Sequence, residues 1–201
     1  MVKRIETTGR AAVASGLLMT AGVEGEWLLD SQRDSGTITS TPGFALLVTL
    51  GTVGFALLFV AVRGLRKASL RQTRPARTGA LLSLAGAGCL GAFGVVSLGS
   101  GVGSGSVAEV AFVPFVLGML LLAIGPVTWG LSLRRADAAP GVWQALLLSG
   151  LAAFGLLAIP VDPWHDVSMV VMFVCWSGLG WCLLRDHARQ NAPGRSEQRV
   201  G

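Results

Sequence analysis

Six apolar runs, each long enough to cross a lipid bilayer, constrain the fold of this 201-residue chain more than any other feature. The hydrocarbon core of a bilayer is about 30 Å thick, so a helix needs about 20 apolar residues to cross it. Such runs lie near residues 11–29, 43–62, 79–98, 107–133, 141–159 and 163–184. Backbone groups in lipid must be bonded within their own segment, which favours helices. We expect an all-α polytopic membrane protein, a bundle of six transmembrane helices in one domain over residues 1–184.

The balance of residue types argues against a soluble domain. Hydrophobic residues make up 52% of the chain and charged residues 13%, whereas about 25% of a typical soluble domain is charged. The net charge of +5 does not predict a nucleic-acid partner, because the basic residues lie between apolar runs of membrane length. Arginine far outnumbers lysine, and alanine and glycine are abundant, as GC-rich coding would give. We expect a protein of a bacterial cytoplasmic (inner) membrane.

The stretch from Arg63 to Arg77 sets the orientation of the predicted bundle. It holds six cations between two apolar runs: Arg63, Arg66, Lys67, Arg71, Arg74 and Arg77. Cytoplasmic loops collect Lys and Arg, and placing this stretch inside places every other cation inside except Arg33. Both termini are then cytoplasmic, N-in and C-in, with a disordered polar tail over 185–201. We expect the six cations to contact anionic lipid headgroups on the cytoplasmic side.

Proline and aspartate mark several of the predicted helix ends. Pro42 opens the second run, where its missing N–H would be unpaired in any case. Pro160 ends the fifth run, and Asp162 with Pro163 supplies an N-cap and a first helical position for the sixth. Within the fourth run, Pro114 and Pro126 predict a kink or a break.

Small and aromatic residues predict how the helices pack. The third run carries small residues four apart, and such a ridge lets a neighbouring helix approach closely. The ridge consists of Gly79, Ser83, Ala87 and Gly91. Trp129, near the inner end of the fourth run, is expected at the membrane interface, which amphipathic indole rings favour.

Ionisable residues on the outer side form the candidate functional cluster. It comprises Glu24, Glu109, Asp162, His165 and Asp166. Such groups are costly near a bilayer, so they mark a cavity, a partner or water by default. Structural explanations stand beside this one: Asp162 as an N-cap, Asp166 as a favourable charge at a helix start, and His165 as a polar edge residue. Glu24 is the strongest candidate, because it continues a small-residue ridge of the first helix.

The sequence contains no catalytic signature. It lacks a phosphate loop, a nucleophile elbow and a zinc-binding HExxH helix. One helical face of the sixth run carries His165, Met169, Met172 and Cys175. Imidazole and soft sulfur groups of this kind can bind copper(I). Methionines at this spacing are more often packing residues, so we expect neither a metal nor a cofactor.

The sequence predicts the function of this protein only as a broad class. We expect a non-enzymatic binding, accessory or transport-type component with an acidic extracytoplasmic vestibule. One alternative is a membrane enzyme that acts on a lipid or isoprenoid substrate through outer carboxylates. A second is a structural partner subunit, in a membrane-protein complex or a homo-oligomer, that docks through its glycine ridges.

Overall fold

The computed structural model contains six α-helices in the order of the six apolar runs. It describes residues 2–31, 42–68, 73–99, 105–136, 140–158 and 164–190, and the side chains of 5–22, 46–67, 73–98, 113–136, 141–158 and 167–188. The helices are α1 (Val2–Ser31), α2 (Pro42–Ala68), α3 (Arg74–Gly99), α4 (Gly105–Arg135), α5 (Pro140–Ala158) and α6 (Trp164–Gln190). No described residue belongs to a strand. The all-α prediction is therefore confirmed.

Five of the helices are long and apolar enough to cross a membrane within the described residues. The segments are Leu46–Lys67, Arg74–Leu98, Val113–Arg135, Gly141–Ala158 and Val167–Ala188. Helix α1 is not among them, and its described side chains include the charged Glu6 and Arg10. The chain is thus a polytopic helical membrane protein, with α1 packed against two of the apolar helices.

The six helices form a closed ring. Each packs against the next in sequence, and α1 also packs against α6. Contacts at glycines show the directions: Gly9 of α1 lies against Leu184 of α6, whereas Gly16 lies against Phe173. Helix α1 therefore runs antiparallel to α6. The contacts at glycines show that the helices are also antiparallel at each of the remaining five seams. A closed ring in which neighbouring helices alternate in direction needs an even number of helices.

Glycine lets helices α3 and α4 meet backbone to backbone. A methyl group added at Gly79 of α3 would lie 2.6 Å from the backbone nitrogen of Trp129 on α4. One added at Gly125 of α4 would lie 2.6 Å from the backbone nitrogen of Ser83. Carbon atoms pack at about 3.5–4.0 Å, so any side chain at these glycines would force the two helices apart.

The ridge predicted on α3 is right at its start and wrong at its end. Gly79 and Ser83 are buried against α4, but the contact continues through Gly86, and Gly91 has no neighbouring atom within 4 Å. A helix turns through about 100° per residue, so a spacing of four drifts by about 40° at each step. After three steps Gly91 faces about 120° away from Gly79, outside the seam.

The interpretation of Trp129 as an interfacial anchor is wrong. Its side chain is 0% exposed and lies in the core, as does that of Trp176 at 1%. The close seam between α3 and α4 encloses Trp129, and hydropathy along the chain does not reveal that rotation. Trp181 is 65% exposed, and Trp143 lies beneath the Arg134 guanidinium, whose central carbon is 5.3 Å from the ring centroid.

The helix boundaries agree with some of the local signals. Helix α2 begins at Pro42, as predicted. Helix α4 runs through Pro114 and Pro126 without a break, so of the two predicted effects only a kink stays a prediction; packed neighbours commonly compensate the lost backbone bond in membrane helices. The pair at 162 and 163 lies outside the described residues. Helix α6 continues to Gln190, past the predicted start of the tail at 185.

Adding one methyl group at the α3–α4 seam tests the packing. We expect Gly79→Ala to lower the free energy of unfolding by about 1–3 kcal/mol, because the added carbon meets backbone atoms that cannot rotate away. Gly91→Ala on the same helix is the matched control and should be neutral or slightly stabilising, since it enters open space. Both are measured by titrating detergent-solubilised protein with SDS and following tryptophan fluorescence. Equal losses for the two variants would contradict this seam.

Candidate functional site

All described charged side chains lie toward one end of the ring, here termed the basic end. They are Glu6, Arg10, Arg63, Arg66, Lys67, Arg74, Arg77, Arg134, Arg135, Arg185 and Asp186. The antiparallel order explains this, because the start of α1, the two connections α2–α3 and α4–α5, and the end of α6 share that end. Nine of these side chains are cations and two are carboxylates. The described part of this end is therefore strongly positive.

A cleft between α2 and α3 gathers four of these cations. It has a volume of about 440 Å³ and is lined by Phe59, Arg63, Arg66, Lys67, Arg77 and Leu84. We term it the basic cleft. Its volume falls within the range of about 300–1,000 Å³ that is typical of small-molecule sites. Four of the six cations predicted to contact lipid lie on it; Arg74 is exposed beside it, and Arg71 is outside the described residues.

The cleft lies at the part of the α2–α3 seam nearer the basic end, where large side chains occupy the contact. Farther from it the helices touch: a methyl group at Gly94 of α3 would lie 3.0 Å from the Cβ of Thr52 on α2. Two turns closer to the basic end, a methyl group at Gly88 would meet Phe59 only at 3.8 Å, which is ordinary contact. Phe59 and Leu84 then line the opening together with the cations.

The cleft is apolar inside and charged at its mouth. Phe59 and Leu84 are half-buried and pack against the hydrophobic core of the ring. Arg63 lies one turn of α2 beyond Phe59, about 6 Å along the axis, and Arg77 lies two turns of α3 beyond Leu84. This arrangement suits an amphiphile whose anionic group meets the cations and whose apolar part follows the helices.

Like charges at the cleft cost the helix energy. Arg63, Arg66 and Lys67 are spaced i, i+3 and i+4, so they share one face of α2. Each such like-charged pair destabilises a helix by about 0.2–0.5 kcal/mol. No carboxylate is among the described residues that line the cleft. An anion bound there would lower the repulsion between Arg63 and Lys67, which lie one turn apart on α2.

Arg77 is the least expected of the four cations. Arg66 and Lys67 lie in the last turn of α2, where positive charge favours the helix dipole. Arg77 lies in the first turn of α3, which has no acidic residue, and positive charge there is unfavourable by about 0.3–1 kcal/mol. Thr73 precedes this turn and its carbonyl accepts the Arg77 N–H at 3.0 Å. Helix formation therefore does not account for the Arg77 guanidinium; the accumulation of cations in cytoplasmic connections does, and an anion in the cleft would also.

Two cations of the basic end outside the cleft have partners within the protein. Arg10 forms an ion pair with Glu6 at 2.5 Å one turn earlier on α1, and both side chains are well exposed. Arg134 stacks over Trp143, which joins α4 to α5. Exposed pairs of this kind contribute little stability, about 0–1 kcal/mol.

The predicted outer cluster lies where side chains are not described. Glu24 belongs to α1, Glu109 to α4, and His165 with Asp166 to the first turn of α6, all positions near the end opposite the basic end. Their side chains lie outside the described residues, as does Asp162 altogether. The convergence of these groups in one vestibule therefore stays a prediction.

The methionines of the hypothetical copper face belong to the core. Met172 is 0% exposed, and Met169 packs against the same cluster of buried residues. Among the described side chains, no group of three His, Cys, Asp or Glu residues could hold a metal ion. These contacts favour the packing interpretation of the methionines.

Sequence reasoning found the cations of the site but missed its apolar floor. Phe59 and Leu84 are ordinary members of apolar runs, and only their position beside the cations of the cleft distinguishes them. The spacing of Phe59 and Arg63, one turn apart, was the available signal. No protein-family model matches the chain, and neither the curated proteins nor the solved structures include a match.

Proposed function

We propose that this protein is a non-enzymatic binding or accessory component of a bacterial cytoplasmic membrane that binds anionic phospholipid in its basic cleft. The observation that carries the proposal is the cleft itself: four cations from two helices surround one opening above two apolar side chains. The headgroup phosphate would lie among the cations, and the acyl chains would follow the α2–α3 seam into the bilayer. Juxtamembrane cations attract anionic lipid by about 1 kcal/mol each.

The proposed orientation places the basic end in the cytoplasm. In this proposal α1 also crosses the membrane, which brings the number of spans from five to six. Two observations support it. Lys and Arg are retained on the cytoplasmic side of membranes, and the described cations all lie at one end. Helix α1 lies between α2 and α6, and its Ser15 hydroxyl donates a buried hydrogen bond of 2.8 Å to the Gly54 carbonyl of α2. A helix held in this way crosses the same layer as its neighbours.

Binding explains the cleft better than catalysis does. General acid–base or nucleophilic chemistry needs a carboxylate, histidine, thiol or hydroxyl in reach of the substrate. The described lining offers guanidinium, ammonium and hydrocarbon groups instead. These bind and orient an anion. The acidic vestibule predicted at the opposite end is a separate part of the proposal, and a transport-type role depends on it.

Removing one cleft cation tests the lipid site. We expect Arg77→Gln to weaken binding of phosphatidylglycerol about fivefold, the equivalent of about 1 kcal/mol for one basic residue. The matched control is Arg74→Gln, which removes the same charge from the same turn of α3 but not from the cleft. Binding is measured by native mass spectrometry of the purified protein with phosphatidylglycerol and, as the neutral reference, phosphatidylcholine. Equal losses of affinity in both variants would show that lipid binds to the positive surface in general, and they would contradict a specific site in the cleft.

Topology reporters test the orientation. A green fluorescent protein fused after Gly201 should fluoresce, and alkaline phosphatase at the same position should be inactive, because both report a cytoplasmic C-terminus. Alkaline phosphatase inserted between residues 32 and 41 should be active. The reverse pattern at both positions would place the basic end outside and remove the proposed access to cytoplasmic-leaflet lipid.

A further inference from the structure

We infer that Trp129, Ser149 and Trp176 form a site for buried water inside the ring, between helices α4, α5 and α6. The three side chains are buried, and each carries a polar atom with no hydrogen-bond partner among the described residues. These atoms are the two indole Nε1 atoms and the serine Oγ. The basic cleft is lined by residues of α2 and α3, so this site is separate from it and does not depend on the proposed lipid.

The seam between α4 and α5 places Trp129 beside Ser149. A methyl group added at Gly130 of α4 would lie 3.2 Å from the backbone nitrogen of Leu147 on α5. Trp129 directly precedes Gly130, and Ser149 follows Leu147 by half a turn. Because a helix rises by about 1.5 Å per residue, Trp129 and Ser149 lie at nearly the same depth in the ring.

The seam between α5 and α6 places Trp176 at this depth as well. Two contacts set the register of these helices: Gly141 of α5 lies against Cys182 of α6, and Gly155 lies against Ser168. Ser149 is near the midpoint between the two glycines, and Trp176 is near the midpoint between their two partners. Helix α5 lies between α4 and α6 in the ring. The two indoles therefore come from the helices on either side of the serine.

All three side chains face the hydrophobic core of the ring. Trp129 and Trp176 belong to the main cluster of buried residues, as do Leu146 and Ala153 of α5. Ser149 lies between Leu146 and Ala153 at spacings of three and four residues, so it shares their face of the helix. Three neighbouring helices thus each contribute one unpartnered polar group to the same core.

The Ser149 hydroxyl differs from other buried hydroxyls of the protein. Ser83 and Ser132 each donate to the carbonyl one turn earlier on their own helix, at 2.9 and 2.8 Å. Ser15 donates across a seam to the Gly54 carbonyl. Bonding to a nearby carbonyl is the common way to satisfy a serine within a helix. Ser149 makes no such bond to a described residue, so its hydroxyl is available to a ligand in the core.

The chemistry of the three groups fits water. An indole N–H only donates a hydrogen bond, whereas a hydroxyl both donates and accepts. Water can accept from both indoles and donate to the Ser149 oxygen, and buried water typically makes about three hydrogen bonds to buried polar groups. All described charged side chains lie toward the basic end. An anion among the three groups would therefore be buried without a counter-charge, which is strongly unfavourable.

Nuclear magnetic resonance of the full-length protein in detergent micelles tests the site. The indole N–H signals of Trp129 and Trp176, assigned by Trp→Phe replacement in protein with isotope-labelled tryptophan, should exchange slowly with deuterated solvent. They should nevertheless show cross-relaxation with the water resonance. Slow exchange without contact to water would show a dry core and overturn the inference. Trp181→Phe is the control, because it removes an exposed indole from α6 and should leave both signals unchanged.

Removing the serine hydroxyl tests whether the two indoles share one site. Ser149→Ala should reduce the cross-relaxation of both indole signals with water by about half or more, because the water loses one of about three hydrogen bonds. Ser83→Ala is the matched control, since it removes a buried hydroxyl that bonds within its own helix. Equal reductions in the two variants, or none in Ser149→Ala, would contradict a shared site.

The direction of the stability change provides a second measurement. An unpartnered buried hydroxyl destabilises a protein, so its removal would raise the SDS concentration at the unfolding midpoint. A hydroxyl bonded to buried water stabilises the protein, and its removal lowers that midpoint. We expect Ser149→Ala to unfold at a lower SDS concentration than the unmodified protein. An unchanged or higher midpoint would count against the bound water.

Sodium bromide distinguishes water from a bound anion. Bromide accepts hydrogen bonds as water does, but it brings a charge into the core. We expect no saturable change in the indole signals of Trp129 and Trp176 as bromide is added, and no loss of their cross-relaxation with water. A saturable change that displaces water would assign the three groups to a halide and overturn the choice of water.

Discussion

Close backbone contact at small residues is the constraint on which the ring depends. Lipid tails are as apolar as leucine, so helices in a bilayer gain little from hydrophobic burial and associate through packing and interhelical hydrogen bonds. The seam at Gly79 and Trp129 shows the first effect, and the buried bond from Ser15 to Gly54 shows the second. The α2–α3 seam departs from this pattern toward the basic end. There a cleft lined by four cations and two apolar side chains lies between the two helices in place of close backbone contact.

The sequence predicted what depends on hydropathy and charge, and it missed what depends on helix rotation. Six helices and a shared basic end follow from apolar length and from the positions of Lys and Arg. The rotation of each helix about its own axis is set by its contacts with neighbouring helices. Arg74 and Arg77 are equivalent in composition, yet only Arg77 lines the cleft. Gly79 fixes how α3 faces α4, and Arg77, about 200° around the helix from it, is directed away from that seam.

Rotation also explains the two errors in packing. Gly91 fits a strict four-residue pattern, but the seam follows the 3.6-residue turn and leaves it in open space. Trp129 has the position of an interfacial residue in the sequence, but its side chain points into the ring. The outer cluster around Glu24 stays a prediction. Its geometry depends on how several helix ends are rotated, which charge and spacing alone do not determine.

Closure of the ring through α1 and α6 has a consequence for the order of assembly. The Ser177 hydroxyl of α6 donates to the Val13 carbonyl of α1 at 3.3 Å, across 164 positions of the chain. Ribosomes deliver α1 to the membrane well before α6, so its glycine-bearing side stays uncovered while the intervening helices are inserted. Pairing of α1 with α2 can occur early, whereas the α1–α6 seam must wait for the last helix. The final step of folding therefore joins the earliest and latest parts of the chain.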